Sequence, residues 1–280
     1  TVASSAYTGG LRIDENEMYI SDDAPRTNCG GTQPAGSCAP NEMMIVFKSP
    51  RTAGATNSYI TNNVIHHTYT YDFTVCCGPG GSSYPAPAIN IGSGGNDGTS
   101  MPIKNVIIEN NAIFKTAAGI EFQNDGPADP GTGAASTTVR RNLLAEVSSE
   151  WGPTIALQTY AGYDHVETHN VVVDMGEGDS YTGFSDYRDY YRQQHSCNVA
   201  IDGQEIRGSD LPPNTGTYSN NFAYGTTAIG TGTGYSGAGS RTDANHDDLC
   251  VVTNFLTGPT EYCIADEKVT AASPHANCGT

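Results

Sequence analysis

Charge is scarce in this chain, and positive charge scarcest. Only 15% of its 280 residues are charged, with 13 Lys and Arg against 30 Asp and Glu, for a formal net charge of −17. So few basic residues, scattered along the sequence, make no footprint for nucleic acid. A polyanionic substrate would be repelled by the same field unless a cation intervened. Long apolar runs are also missing. No segment approaches the roughly 18 consecutive apolar residues of a membrane-spanning helix, so no membrane partner is expected. No asparagine stands in an Asn-x-Ser/Thr sequon, which leaves no acceptor for N-glycosylation. There is no Cys-x-x-Cys pair, the cysteine spacing fits no zinc module, and no metal is expected for folding. Helix formers are few, whereas glycine (33), threonine, serine and asparagine abound, as in an all-β chain rich in turns.

What the chain does have begins with eight cysteines, an even count that points to disulfides and an oxidising, extracellular compartment. Cys29 and Cys38 bracket a Gly/Pro loop and are expected to bridge. Cys250 and Cys263 are expected to staple the last repeat, and Cys197 with Cys278 to tie the tail back. Cys76 and Cys77 are adjacent, and ordinary bridges to different partners are expected rather than a strained vicinal pair. The first residue is Thr1, so removal of a signal sequence is expected to have taken place already.

The strongest signal is a two-part repeat. Five segments read apolar-x-apolar-x-small/polar, at 45–49, 89–93, 120–124, 155–159 and 199–203. An asparagine followed by apolar residues comes 13 to 20 residues after the second apolar position of each: Asn63, Asn111, Asn142, Asn170 and Asn221. Residues 11–20 look like the asparagine half of a further repeat, with Asn16 in the equivalent place. Alternation with period two means strands with one buried face. Strand pairs recurring in fixed order, with loops of variable length, are the mark of a solenoid. Stacking would set Ile45, Ile89, Ile120, Ile155 and Val199 in one internal column, and Phe47, Ile91, Phe122, Leu157 and Ile201 in a second. The asparagines would fall on one another at a bend, where side-chain amides can bond along the stack.

In these repeats the chain resembles right-handed parallel β-helices, the pectate-lyase-like solenoids. The resemblance covers residues 11–265 and implies an all-β solenoid of about six rungs with long, disulfide-stapled loops. Residues 1–10 read as an N-terminal extension able to add a strand to another subunit, and 266–280 as a polar tail. Residues 249–253 fit the strand half of a last rung, with 262–264 as its partner strand. In this architecture the outward side chains of one strand stack line a groove where carbohydrate-active members work. Here the outward columns would be Val46, Asn90, Glu121, Ala156 and Ala200, and Lys48, Gly92, Gln123, Gln158 and Asp202. Their carboxylates, Glu121 and Asp202, would stand about 11–12 Å apart from strand and rung spacing. That is wider than the roughly 6.5–9.5 Å of an inverting glycosidase pair. The paired aspartates and Gly-His-Gly of polygalacturonases are missing, as are the Arg-Pro-x-x-Arg strand of pectate lyases and the Asp-Pro-His of alginate epimerases.

The densest group of chemistry-bearing residues is Arg188, Arg192 and His195 with Tyr187 and Tyr191. Over a groove these would suit a polyuronate lyase or epimerase; equally, their spacing describes a short amphipathic helix packed on the stack. A lyase reading of the asparagine side takes Lys115 or Arg140 as base and His165 or His169 as acid. The structural reading pairs Lys115 with Glu146 and Glu109 with Arg140 as opposite charges on adjacent strands. Acidic loops at 174–179 and 243–248 offer oxygen ligands for Ca²⁺ but match no calcium motif, and solvated loops account for them. Two functions are therefore carried forward. One is a secreted structural protein whose open ends stack head to tail into an extracellular fibre or stalk. The other is a carbohydrate-active enzyme (a polysaccharide lyase, hydrolase or epimerase) with a polysaccharide partner.

Overall fold

The computed structural model describes residues 10–20, 26–28, 31–33, 44–48, 57–67, 87–92, 105–116, 118–123, 134–145, 155–159, 162–173, 182–186, 190–201, 206–207, 215–219, 222–224, 241–243, 250–255 and 258–263. Among these residues there are strands and bends but no helix. The fold is all-β with parallel sheets, as a β-helix or other solenoid requires.

Three sheets carry it. The first holds Arg12–Asp14, Ser58–Thr61, Val106–Glu109, Thr138–Arg140, Val166–Thr168 and Tyr190–Ser196 in that spatial order. The second holds Glu17–Ile20, Val64–His67, Ala112–Phe114, Leu143–Ala145, Val171–Val173, Val199–Ile201, Phe222–Tyr224 and Arg241–Asp243. The third runs through Ile45–Lys48, Pro87–Gly92, Ala118–Gln123, Ile155–Thr159, Thr182–Asp186 and Ile206–Arg207. The chain visits first, second and third sheet in turn and then returns to the first beside its earlier strand. Each pairing within these sheets is parallel, as in Ile13↔Ile60, Ile65↔Ile113 and Ile89↔Ile120.

Between first and second sheet lies an asparagine corner. The residue just before each ladder asparagine adopts a left-handed backbone: Glu15, Asn62, Asn110, Arg141, His169 and Cys197 have φ of 56–58°. Such a conformation costs a non-glycine residue about 1–2 kcal/mol. It persists because the bend leaves the backbone groups aligned along the stack. Asn62 N–H donates to the Glu109 carbonyl, Asn110 N–H to that of Arg140 and Arg141 N–H to that of Thr168. The asparagine side chain then fills the inside of the bend. Asn111 N–H and Nδ2 both donate to Asn142 Oδ1 (3.0 and 2.9 Å), and the other Nδ2 hydrogen reaches the carbonyls of Ile60 and Glu109. The same pattern links Asn16 to Asn63, Asn63 to Asn111, Asn142 to Asn170 and Asn170 to Asn198.

The core between the sheets is aliphatic over most of its length. Ile60, Ile108 and Val139 come from the first sheet, Ile65, Ile113, Leu144 and Val172 from the second, and Ile45, Ile89, Ile91, Ile120 and Phe122 from the third. The expected stacking of Ile45, Ile89 and Ile120, and of Phe47, Ile91 and Phe122, is present in register. From there the third sheet departs from the expected columns. Ile120 lies beside Leu157 rather than Ile155, and Phe122 beside Thr159. A slip of two residues keeps every side chain on its face, so alternation alone does not distinguish the two registers. Val199–Ile201 is a larger correction. It follows the Asn198 corner and pairs with Val171–Val173 in the second sheet, so neither Val199 nor Ile201 belongs to the third-sheet columns.

The segment read as a short helix is also strand. Thr182–Asp186 pairs with Ile155–Thr159, and Tyr190–Ser196 pairs with Val166–Thr168. Its Thr, Phe and Tyr residues suit a pleated surface, and ready-made strand edges on both sides override the weak helical spacing. Cys250–Phe255 does not continue the parallel stack. It forms an antiparallel hairpin with Gly258–Cys263, in which Cys250 lies opposite Cys263. A second antiparallel pair joins Arg26–Asn28 to Gly31–Gln33.

The asparagine ladder leads to a graded prediction. Asn142→Ala strips buried acceptor and donor partners from Asn111, Ile108 and Arg140, each loss costing about 1–3 kcal/mol. Urea unfolding should show it destabilised by several kcal/mol. Asn16→Ala, at the exposed end, should cost less than about 1 kcal/mol. Equal effects at the two positions would contradict the ladder as the source of corner stability.

Candidate functional site

Two places stand out from the regular stack: the first repeat and an ionisable layer in the interior. At the first repeat, Arg12–Asp14 and Glu17–Ile20 are the edge strands of their sheets. Leu11, Ile13 and Met18 pack on the core but are only partly buried, whereas their neighbours Ile60 and Ile65 are fully enclosed. Among the described residues, nothing packs over this end of the hydrophobic core. The same holds for its polar counterpart. In every later repeat the asparagine Oδ1 accepts two N–H groups, but among the described residues Asn16 Oδ1 accepts none. Its spare Nδ2 hydrogen turns back to the carbonyl of Asp14.

An aromatic column ends at the same edge. Phe114, His66 and Tyr19 stack on the outer face of the second sheet, with centroids 4.7 and 5.7 Å apart and rings 7° and 22° from parallel. The Glu17 carboxylate holds His66 Nε2 at 3.0 Å. A stack of three rings has two outer faces: that of Phe114 lies on the side of its register neighbour Ala145, and that of Tyr19, which is 58% exposed, ends the column at the sheet edge. On the edge strand of the first sheet, Asp14 accepts hydrogen bonds from Thr61 Oγ1 (2.6 Å), Asn62 Nδ2 and Arg12 Nε. These bonds, that of Thr61 foremost, hold its carboxyl below the ordinary range.

The interior layer lies further along. The inward column of the first sheet reads Ile13, Ile60, Ile108, Val139, then Glu167 and His195. Glu167 Oε2 and His195 Nδ1 approach to 2.8 Å with side chains 1% and 2% exposed. His165 and Thr137 are buried on the neighbouring inward positions, and the His165 ring lies 4.9 Å from that of Phe122. The imidazole is charged only when protonated, and in either state two polar groups this deep are costly to desolvate.

This layer takes His195 out of the group in which the sequence placed it. His195 faces the core rather than a groove. Tyr191 and Arg192 lie on the same strand, Tyr190–Ser196, while Tyr187 and Arg188 lie outside the described residues. Of the two residues expected as acid in the lyase reading, His165 is interior as well, and His169 is the left-handed corner residue before Asn170, its Nδ1 2.8 Å from Thr168 Oγ1. Arg140 is no base: its Nη2 meets Glu109 Oε2 at 2.8 Å, and that carboxylate raises its proton affinity further. Burial pushes Glu109 upward, but Arg140 and Arg141 together hold it below its ordinary value. The expected Glu109–Arg140 pair is therefore present; Glu146 lies outside the described residues.

The expected sugar groove fares differently. Asn90 and Glu121 are adjacent in register on the third sheet, yet both are buried, with Asn90 Nδ2 3.2 Å from Glu121 Oε2. Gln158 and Ser185 continue this column in place of Ala156 and Ala200. Asp202 lies outside the described residues, and so do Cys29, Cys38, Cys76, Cys77, Cys278, Asn221 and the loop 174–179. Cys197 is buried and disulfide-bonded. The one ladder asparagine the repeat pattern missed, Asn198, sits 28 residues after Asn170, the same interval as from Asn142 to Asn170. That spacing was the available signal. No family model, no curated protein and no solved structure matches this chain.

The interior pair makes a prediction that separates packing from pairing. Glu167→Val or His195→Leu alone leaves the other ionisable group buried without its partner and should cost about 3–5 kcal/mol in chemical denaturation. The double variant, which extends the aliphatic column, should be less destabilised than either. Additive losses would mean that the two side chains do not act as a pair.

Proposed function

We propose that this chain is a secreted structural protein: a right-handed parallel β-helix of about six rungs, its long loops stapled by disulfides, that stacks copy on copy into an extracellular fibre or stalk. The observation that carries the reading is the first repeat, where Leu11, Ile13 and Met18 pack on the core yet remain partly exposed, on strands that are sheet edges among the described residues. An edge strand with a bare apolar core is a template for pairing, and solenoids normally cover it. A contact spanning a whole rung would bury well over the roughly 1,000 Å² of a credible interface. Eight cysteines support the oxidising compartment, and Cys250 opposite Cys263 suits the bridge proposed there. Of the residues proposed for the enzyme reading, His195 is buried in the core, which weakens that alternative.

The charge balance sets the conditions of assembly. Copies carrying −17 each repel, so association should strengthen as salt screens them. Sedimentation velocity across protein concentration should show growing species, more so at about 0.5 M salt than at 0.05 M. Ile13→Asp should weaken association at least tenfold at temperatures where circular dichroism shows the variant still folded. A monodisperse monomer at high concentration would contradict the structural reading. Depolymerisation of pectin or alginate, lost on changing Arg188, Tyr191 or Arg192, would establish the enzyme alternative instead.

A further inference from the structure

The bonds that run along the stack are the same in kind from one repeat to the next; what changes is the interior they enclose. The asparagine ladder continues from Asn111 through Asn142 and Asn170 to Asn198, and the first-sheet strands beside it pair in parallel throughout. The inward positions do not continue. On the first sheet Ile60, Ile108 and Val139 give way to Glu167 and His195, and beside that column Thr137 is followed by His165. On the third sheet Ile91 and Phe122 are followed in register by Thr159 and then Asp186. Only the second sheet stays aliphatic, with Leu144 beside Val172. Both changes fall at one level of the stack, between the strand that ends at Ala145 and the one that begins at Ile155.

We infer that this level is a seam: the strands from Ile155 to Ile201 open together while the aliphatic repeats before them, Arg12 to Ala145, stay folded. The seam is a property of the single chain and is independent of end-to-end association. In a solenoid each repeat touches only its neighbours, so stability is a sum of repeat and interface terms, and opening starts where those terms are smallest. The ladder and the strand pairing contribute alike on both sides, so the interior decides. An aliphatic inward residue adds buried area at no polar cost. Glu167 and His195, 1% and 2% exposed, must first be desolvated, and their 2.8 Å contact serves to offset that cost. Thr159 has less apolar surface to bury than Phe122, its register neighbour. The two kinds of interior meet where the His165 ring lies 4.9 Å from that of Phe122. The reverse order, with the aliphatic repeats opening first, would hydrate Ile60, Ile65, Ile108, Ile113 and Leu144, all fully buried.

Native-state hydrogen exchange on the full chain, with its cysteines intact, reads the two parts separately. Ala112 and Leu143 N–H, bonded to the Asn63 and Asn111 carbonyls, report the aliphatic repeats. Val166, Val171 and Gln194 N–H, bonded to the Thr137, Asn142 and His165 carbonyls, report the strands beyond the seam. The second set should exchange about tenfold faster or more, with a shallower dependence on denaturant. Substitutions then fix the order of opening. Ile60→Val should speed the first set about threefold or more and leave the second within about twofold, because the aliphatic repeats are still folded when the second set exchanges. Glu167→Gln should speed both sets, because the aliphatic repeats open only after the seam has. Glu167→Val combined with His195→Leu should slow the second set about threefold or more. Equal exchange of the two sets in the parent chain, or an equal response of both to Ile60→Val, would overturn the seam. A second set not slowed by the double variant would overturn the ionisable layer as its cause. Should the double variant fail to fold, the parent chain and Ile60→Val still decide whether the seam exists.

Discussion

Everything in this molecule hangs on a side-chain amide that bonds along the stack rather than across it. An asparagine at a corner has two donors and two lone pairs, and the geometry here uses them all: one Oδ1 accepting twice, one Nδ2 donating on both hydrogens. That full satisfaction is what lets a polar residue sit buried at each bend without the usual penalty. It also sets the register of first and second sheets, because a strand slipped by one residue would put an apolar side chain where the amide is required. The left-handed residue ahead of each asparagine is the cost of turning sharply; the ladder bonds on either side hold it in place.

With the corners fixed, the interior has only to be filled. From the first repeat through Val139 and Leu144 it is filled with aliphatic side chains of similar size, one above another. Beyond Val139 the first-sheet column changes character, with Glu167 and His195 where isoleucine stood. The stack therefore changes character along its length, from an aliphatic first repeat to an enclosed layer in which a carboxyl and an imidazole approach to 2.8 Å. The outer faces are less regular. They carry a polar stripe from Asp14 to Ser196 along the first sheet and a stack of rings on the second.

Much of this was legible in the residues, and the failures have identifiable causes. Period-two alternation marked the strands, and the recurring asparagine marked the corner, because both features are local and repeat with little variation. Register in the third sheet was not legible past Phe122, since a shift by two residues leaves the alternation intact and only the neighbours decide. Val199–Ile201 reads equally well as either strand of a repeat; what assigns it is Asn198 just before it, at the interval already set by Asn142 and Asn170. The strand from Tyr190 to Ser196 was hidden by charged and aromatic residues whose spacing also suits a helix turn, and only the waiting edge of the sheet selects the extended form. His195 was noticed for its chemistry, but its partner Glu167 could be found only once the two strands were set side by side.

The most direct test of the account is hydrogen exchange at the asparagine side chains themselves, followed by nuclear magnetic resonance. If the ladder governs the fold, the Nδ2 protons of Asn63, Asn111, Asn142 and Asn170 open only with the strands around them, and they should exchange roughly a thousandfold or more slowly than free amides. Those of Asn16, on the exposed first repeat, should exchange close to the free rate. Side-chain amides that exchange freely at all these positions, beside strand N–H groups that remain protected, would contradict the ladder as the interaction on which the structure depends.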